Sequence, residues 1–371
     1  MNSRERVMRA LRRDAPDRVP LQFDLCRPLL EAFGAKHGIP VSYSPSYYED
    51  LKYRTSGNEL RIAMGSDCVV VGGGLPAGYE PGEEPDGILV NEFGMRMKPG
   101  LQWMDVVSGP LADATSVQEV LDLPFPDPFA EGRFEVARAT IDRYKGDYFI
   151  IGDVELTMFE MAWHMVGLEK FMADMAMGED YIEVLIDRCK DFSIGIGTQL
   201  VELGVDGIWA GDDFGAQNGM MISPAMWRRI FKPRYAEVFS AFKAVNPDVV
   251  TMYHCDGAIS PILGDLIEIG LDVFNPVQPG VPGHEPDVLK ATFGDRLSFW
   301  GAIDQQHLLP RGTTDEIDAG VAAMIRALGP GGGYLCSPAH ILQSDTPLEN
   351  VEAYIAAVKR HGDYAAQAAD G

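Results

Sequence analysis

Residues 249–257 read VVTMYHCDG: an extended, apolar run that ends abruptly in His254, Cys255 and Asp256. β-Branched and aromatic side chains favour a strand. The three residues at its tip can each bind a metal or carry a proton. The same event recurs along the chain. VPLQF runs into Asp24, YFIIGDV into Glu155, and GVDGIWAG into Asp212 and Asp213. VFNPV ends at Gln278, LSFWGAI at Asp304, and GGGYL at Cys336 with His340 just beyond. Most of these runs are separated by enough residues for a helix. Strand, polar tip and helix in repetition predict an α/β chain folded as a (β/α)8 TIM barrel, with its chemistry at the C-terminal rim.

The expected strands are 19–24, 68–72, 148–153, 205–210, 249–253, 272–275, 297–301 and 333–336. Helical spacing is expected over 2–13 and 129–145, in one or two helices over 158–202, and over 225–245, 258–269, 286–293, 314–328 and 346–360. Residues 73–125 read as a loop insertion over the barrel mouth after the second strand. Within it ILVNEFGMRMK forms a β-hairpin turning near Phe93 and Gly94. An alanine-rich polar tail is expected to fray. No linker divides the chain, so residues 1–371 form one domain.

Lys plus Arg number 31 against 55 Asp plus Glu, a net charge of -24. Such a surface repels phosphate backbones and anionic lipid, which excludes nucleic acid and membrane as partners. It leaves room for docking a basic protein. No apolar run is long enough to span a bilayer, and the charged start MNSRERVMRALRR has no secretory h-region. Five cysteines do not make a disulfide framework. A reducing cytoplasm is the expected home.

Alternation along an extended segment points His254 and Asp256 the same way and Cys255 the other. With Cys336 they form the expected metal set of His254, Asp256 and Cys336, zinc being the metal that takes such mixed donors; buried cysteines packed as small hydrophobes are the alternative. Asp212 and Asp213, in GDDFGAQ, suit a clamp for a polar ligand or general acid–base work, or else a solvated cap. Glu155 orients substrate, binds metal, or sits at a helix N-terminus. His340 is a proton shuttle or a packed loop histidine. Asp24, Asp67, Gln217, Gln278 and Asp304 complete the expected substrate-binding set. MFEMAWHM, residues 158–165, reads as helix core.

Several blocks resemble the uroporphyrinogen decarboxylase superfamily, which also contains cobalamin-linked methyltransferases. They are NSRERVMRALRRDAPDRVP, GDDFGAQNGMMISPAMWRRIFKPR, YHCDGAISPILGDLIEIGLDVFNPVQPG, FGDRLSFWGAID and GPGGGYLCSPAHILQSDTPLENV. The resemblance implies a distorted (β/α)8 barrel. Decarboxylases of the superfamily hold tetrapyrrole propionates with an RQAGR-like arginine cluster. Here VPLQFDLCRPLLEAFG offers only Arg27, and a polycarboxylate needs several fixed cations. Asp67 and His340 fall where those enzymes place an aspartate and a late histidine. The methyltransferase branch implies zinc held by a His-x-Cys pair and a distant Cys. Here His254 is followed by Asp256, Cys336 lies near the last position, and Gln278 stands where a related pattern has a carboxylate.

The expectation is therefore a one-carbon methyltransferase. It moves a methyl group between a methylated small molecule or corrinoid and a thiol or reduced pterin such as tetrahydrofolate. The resemblance implies a corrinoid (methylcobalamin) carried on a partner protein, and it accommodates a homodimer. His254, Asp256 and Cys336 activate the acceptor. Asp212, Asp213 and Glu155 position substrate, and His340 relays a proton. A decarboxylase or lyase acting on a carboxylic acid is the rival, and it needs a cationic pocket from Arg27, Arg54, Arg61 and Arg96. A non-catalytic ligand-binding barrel is the third reading; its rim acids would be paired off in salt bridges.

Overall fold

Seven parallel strands lie side by side in chain order: Cys68–Gly72, Phe149–Glu155, Gly207–Gly211, Val250–His254, Val273–Val277, Ser298–Ile303 and Tyr334–Pro338. They were obtained in a computed structural model describing residues 1–100 and 104–364. The alanine-rich tail lies outside the described residues.

The expected first strand, 19–24, is an irregular stave instead. Leu21 bridges to Cys336, and Leu25 to Leu342. On its other side the Leu21 carbonyl accepts the Asp67 N–H at 2.8 Å, while the Leu21 N–H donates to the Asp67 carboxylate at 2.8 Å. Pro20 has no N–H to give. A side chain therefore replaces part of the ladder, and the curled sheet closes through it.

Two apolar layers follow from the alternation of side chains. Phe149, Ile151, Trp209, Val250, Met252, Trp300 and Leu335 pack inside the barrel with Val7 and Leu11 of the first helix, Ser3–Leu11. Cys255, Tyr253 and Cys336 join the outer layer, between strands and helices. The phase of each strand thus decides which tip residues face the mouth.

The region expected to hold one or two helices holds three: Phe159–Val166, Leu168–Met177 and Asp180–Leu203. They break at Gly167 and Gly178, both at positive φ. The span 225–245 is likewise two helices, Pro224–Ile230 and Lys232–Val245. The insertion is more than a hairpin. Gly82–Glu84, Ile88–Val90, Arg96–Pro99 and Met104–Ser108 form an antiparallel sheet. The expected turn is there, closed by Asn91 accepting from Phe93 and Met95 N–H. The sheet is braced on the barrel by the buried Arg133–Glu92 pair at 2.8 Å and by Phe93 edge-on to Phe192. Among the described residues no helix is long and apolar enough to cross a membrane.

Candidate functional site

Register builds the site before any loop contributes. Glu155 pairs with Gly211, Gly211 with His254, and His254 with Asn275. Four strand ends therefore stand in one row at the mouth. Gly211 makes room: a Cβ there would lie 2.2 Å from the His254 carbonyl oxygen. Gly215 does the same for the turn beyond, where a Cβ would lie 2.3 Å from the Asp256 carbonyl oxygen.

His254 is 2% exposed. Its Nδ1 meets Asn275 Oδ1 at 2.7 Å. Its Nε2 faces Glu155 Oε1 at 3.3 Å, with Asp213 Oδ1 and Asp256 Oδ1 each at 3.8 Å. His340 Nε2 lies 3.8 Å from the other Asp256 oxygen. Donor atoms of His254, Asp256 and His340 all fall within 4.8 Å of one another. Burial, with Arg54 nearby, holds His254 far below the usual histidine range and His340 down at about 4. Both rings are neutral at pH 7 and have lone pairs to offer a cation. Asp213 and Asp256 keep about a third of their side chains exposed, 36% and 35%. Burial pushes each up to about 7, with Asp256 adding to the effect on Asp213. Two imidazoles and a carboxylate fit a zinc site with a coordination position left for substrate. Several acceptor oxygens converging on an imidazole lone pair form a space shaped for a cation.

Cys336 is not part of this cluster. Leu335 points into the barrel, so Cys336 points out of it. Its thiol lies against Tyr334 and Tyr354, and burial pushes it up to about 12. His340 stands with His254 and Asp256 in its place. Asp212 is also turned outward. Its carboxylate accepts the Met158 and Glu160 N–H groups at 3.0–3.2 Å and the Tyr235 hydroxyl, and so caps the Phe159–Val166 helix. Burial raises it to about 6, against those hydrogen bonds. Asp67 lies at the opposite end of the barrel, before the Cys68–Gly72 strand. Arg6, Arg18 and Ser3 hold it there at 2.6–2.9 Å, which makes it a structural anchor.

The remaining expected residues come to the mouth. Gln278 Oε1 accepts the Gly257 N–H at 2.7 Å, and its amide reaches Gln217. Asp304 caps the next turn through Gln306 and His307 N–H. Asp256, Gln278, Asp304 and His340 share one cleft; Asp24, Arg54, His254 and Asn275 line the one below it.

Sequence reasoning missed three residues. Glu160, in the stretch read as core, accepts the Asp213 N–H at 2.9 Å. Burial, Asp213 and Asp212 hold its carboxyl well above the usual range. Asp153 is fully buried, two residues before Glu155, and burial lifts it to about 7. Asn275 was hidden inside an apolar run. For Asp153 the signal was that every second residue back from a polar tip shares its face. Asn275 stands three residues before Gln278, beyond a register shift, so that rule does not find it, and only its pairing with His254 does.

The four arginines that the decarboxylase reading needs are all engaged. Arg54 pairs with Glu155 and stacks over Trp209 at 4.5 Å. Arg61 pairs with Asp24. Arg27 and Arg96 form solvent-exposed pairs with Glu31 and Glu84.

The sequence profile described as Uroporphyrinogen decarboxylase (URO-D) matches residues 90–361. The chain belongs to the uroporphyrinogen decarboxylase family. Within that family it is 23% identical over 367 residues to the methylcobamide:CoM methyltransferase MtbA of Methanosarcina mazei, covering 96% of this chain and 98% of that one. The protein of the same name from Methanosarcina acetivorans is 24% identical over 366 residues, with the same coverage. A solved methyltransferase structure from Methanosarcina mazei superimposes with a TM-score of 0.70 at 21% identity, covering 97% of this chain and 99% of its own. That likeness establishes the family barrel for this chain.

Proposed function

We propose that this protein is a corrinoid-dependent methyltransferase. It takes the methyl group of a corrinoid on a partner protein and delivers it to a thiol, or to a reduced pterin such as tetrahydrofolate. The carrying observation is the meeting of two neutral imidazoles with Asp256 at the mouth of a barrel that aligns end to end with methylcobamide:CoM methyltransferases.

His254, Asp256 and His340 are the residues that would hold zinc. Bound there, zinc would act as a Lewis acid, lowering the pKa of a thiol acceptor. Asp213, whose carboxylate faces the mouth, takes the thiol proton at Oδ2, because its Oδ1 already accepts the Asp256 N–H at 2.6 Å. The acceptor sulfur would then bond to the methyl carbon, and the electron pair of the broken cobalt–carbon bond would stay with the partner's corrinoid. Arg54 holds the Glu155 carboxylate in place beside His254. Gln278 and Gln217 offer hydrogen bonds to the acceptor. The four arginines that a decarboxylase would draw on are each paired with a carboxylate.

The test combines elemental analysis with a spectrophotometric assay of methylcobalamin demethylation, using a panel of thiols and tetrahydrofolate. The reading expects one zinc per chain and acceptor-dependent loss of methylcobalamin. No bound metal together with no transfer to any acceptor refutes it.

A further inference from the structure

The imidazole at the centre of the site is held from behind. His254 Nδ1 meets Asn275 Oδ1 at 2.7 Å, with Asn275 only 4% exposed. An amide oxygen only accepts, so this contact calls for a proton on Nδ1, which leaves the lone pair on Nε2. That lone pair looks toward Glu155, Asp213 and Asp256, which are acceptors themselves. Glu155 does not require a proton from Nε2, because Arg54 already donates to it. The contact comes from strand pairing: Asn275 is the register partner of His254. Its backbone carbonyl accepts the Cys255 N–H at 2.9 Å whatever side chain it carries. The amide can therefore be exchanged without breaking the ladder.

We infer that Asn275 is a positioning residue: it sets His254 as the Nδ1–H tautomer and so prepares Nε2 to bind a divalent cation. The inference rests on the proposed reading of His254 as a metal ligand. Partners of this kind fix ring orientation and basicity, and their loss weakens metal binding by about 10- to 100-fold.

The first measurement needs no metal. Metal-free protein is labelled with 15N-histidine, and the His254 resonance is assigned by its disappearance in His254→Gln. Wild type is expected to show a protonated Nδ1 and a bare Nε2, and Asn275→Leu a shift of the proton toward Nε2. A wild-type proton on Nε2, or an unchanged tautomer in Asn275→Leu, overturns the inference. The second measurement is zinc affinity by competition with a chromophoric chelator, with circular dichroism confirming that each variant is folded. Asn275→Leu is expected to bind about 10- to 100-fold more weakly, and Asn275→Asp, which still accepts from Nδ1–H, to recover most of that loss. Zinc bound equally by wild type and Asn275→Leu refutes the role of Asn275. A wild type that binds no zinc refutes the metal reading of the site.

Discussion

Replacing Asp212 with alanine removes a buried acceptor that three separate groups depend on. Its carboxylate takes the Met158 and Glu160 N–H groups and the Tyr235 hydroxyl, and it is fully buried. Each donor left buried without a partner costs about 1–3 kcal/mol, and neighbours of this kind do not add fully. The expected loss is thus about 4 kcal/mol in urea denaturation. Asp212→Asn keeps one accepting oxygen and loses about half as much. Asp213→Asn is the control: its carboxylate faces the mouth and is a third exposed, so stability changes by less than about 1 kcal/mol, while methyl transfer falls at least tenfold. The two neighbours separate because adjacent residues on an extended chain face opposite sides. If Asp212→Ala kept its wild-type midpoint yet lost transfer activity, the carboxylate would belong to the chemistry, and the scaffold argument would be wrong.

His340→Ala is expected to abolish stoichiometric zinc while Cys336→Ala retains it, as read by elemental analysis; the reverse outcome restores the cysteine as ligand. Arg54→Met strands the buried Glu155 carboxylate and is expected to lower stability by about 3–5 kcal/mol, with Arg54→Met/Glu155→Leu recovering much of it in a double-mutant cycle; strictly additive losses would show that the pair is uncoupled. His164 is buried against Tyr48, and burial lowers it to about 3. Its contribution to stability is therefore complete above the unfolded histidine pKa of roughly 6.5 and is lost as pH falls toward its folded value. Wild type should lose about 2–3 kcal/mol more than His164→Phe between pH 7 and pH 4.5; parallel stability profiles for the two proteins exclude the effect.

The barrel was legible because most strands announce themselves twice, by an apolar run and by the polar residue that ends it; Cys68–Gly72, which runs into glycines, announces itself only once. The stave at 19–24 was less legible, since Pro20 and the Asp67 side chain give it the spacing of a strand without the ladder. Phase was the harder matter. GDD and HCD look alike in sequence, yet one residue of shift decides whether a carboxylate caps a helix, as Asp212 does, or faces the mouth, as Asp213 and Asp256 do. The phase of a strand is set by what its inner residues pack against. Trp209 on Trp300 at 4.4 Å fixes Gly211 and Asp213 on the inner side, a contact between strands that lie far apart in the chain. Cys336 is turned from the mouth for the same reason: Leu335 occupies the interior, so the thiol beside it faces Tyr354. His340 gained its place through a loop whose direction no periodicity describes. The donor set proposed for zinc, His254, Asp256 and His340, is wholly nitrogen and oxygen. It carries one protein charge where a His-x-Cys pair with a second Cys would carry two. A zinc ion in it would keep more positive charge, and so draw a thiol's proton off more strongly, than one shared with two sulfurs.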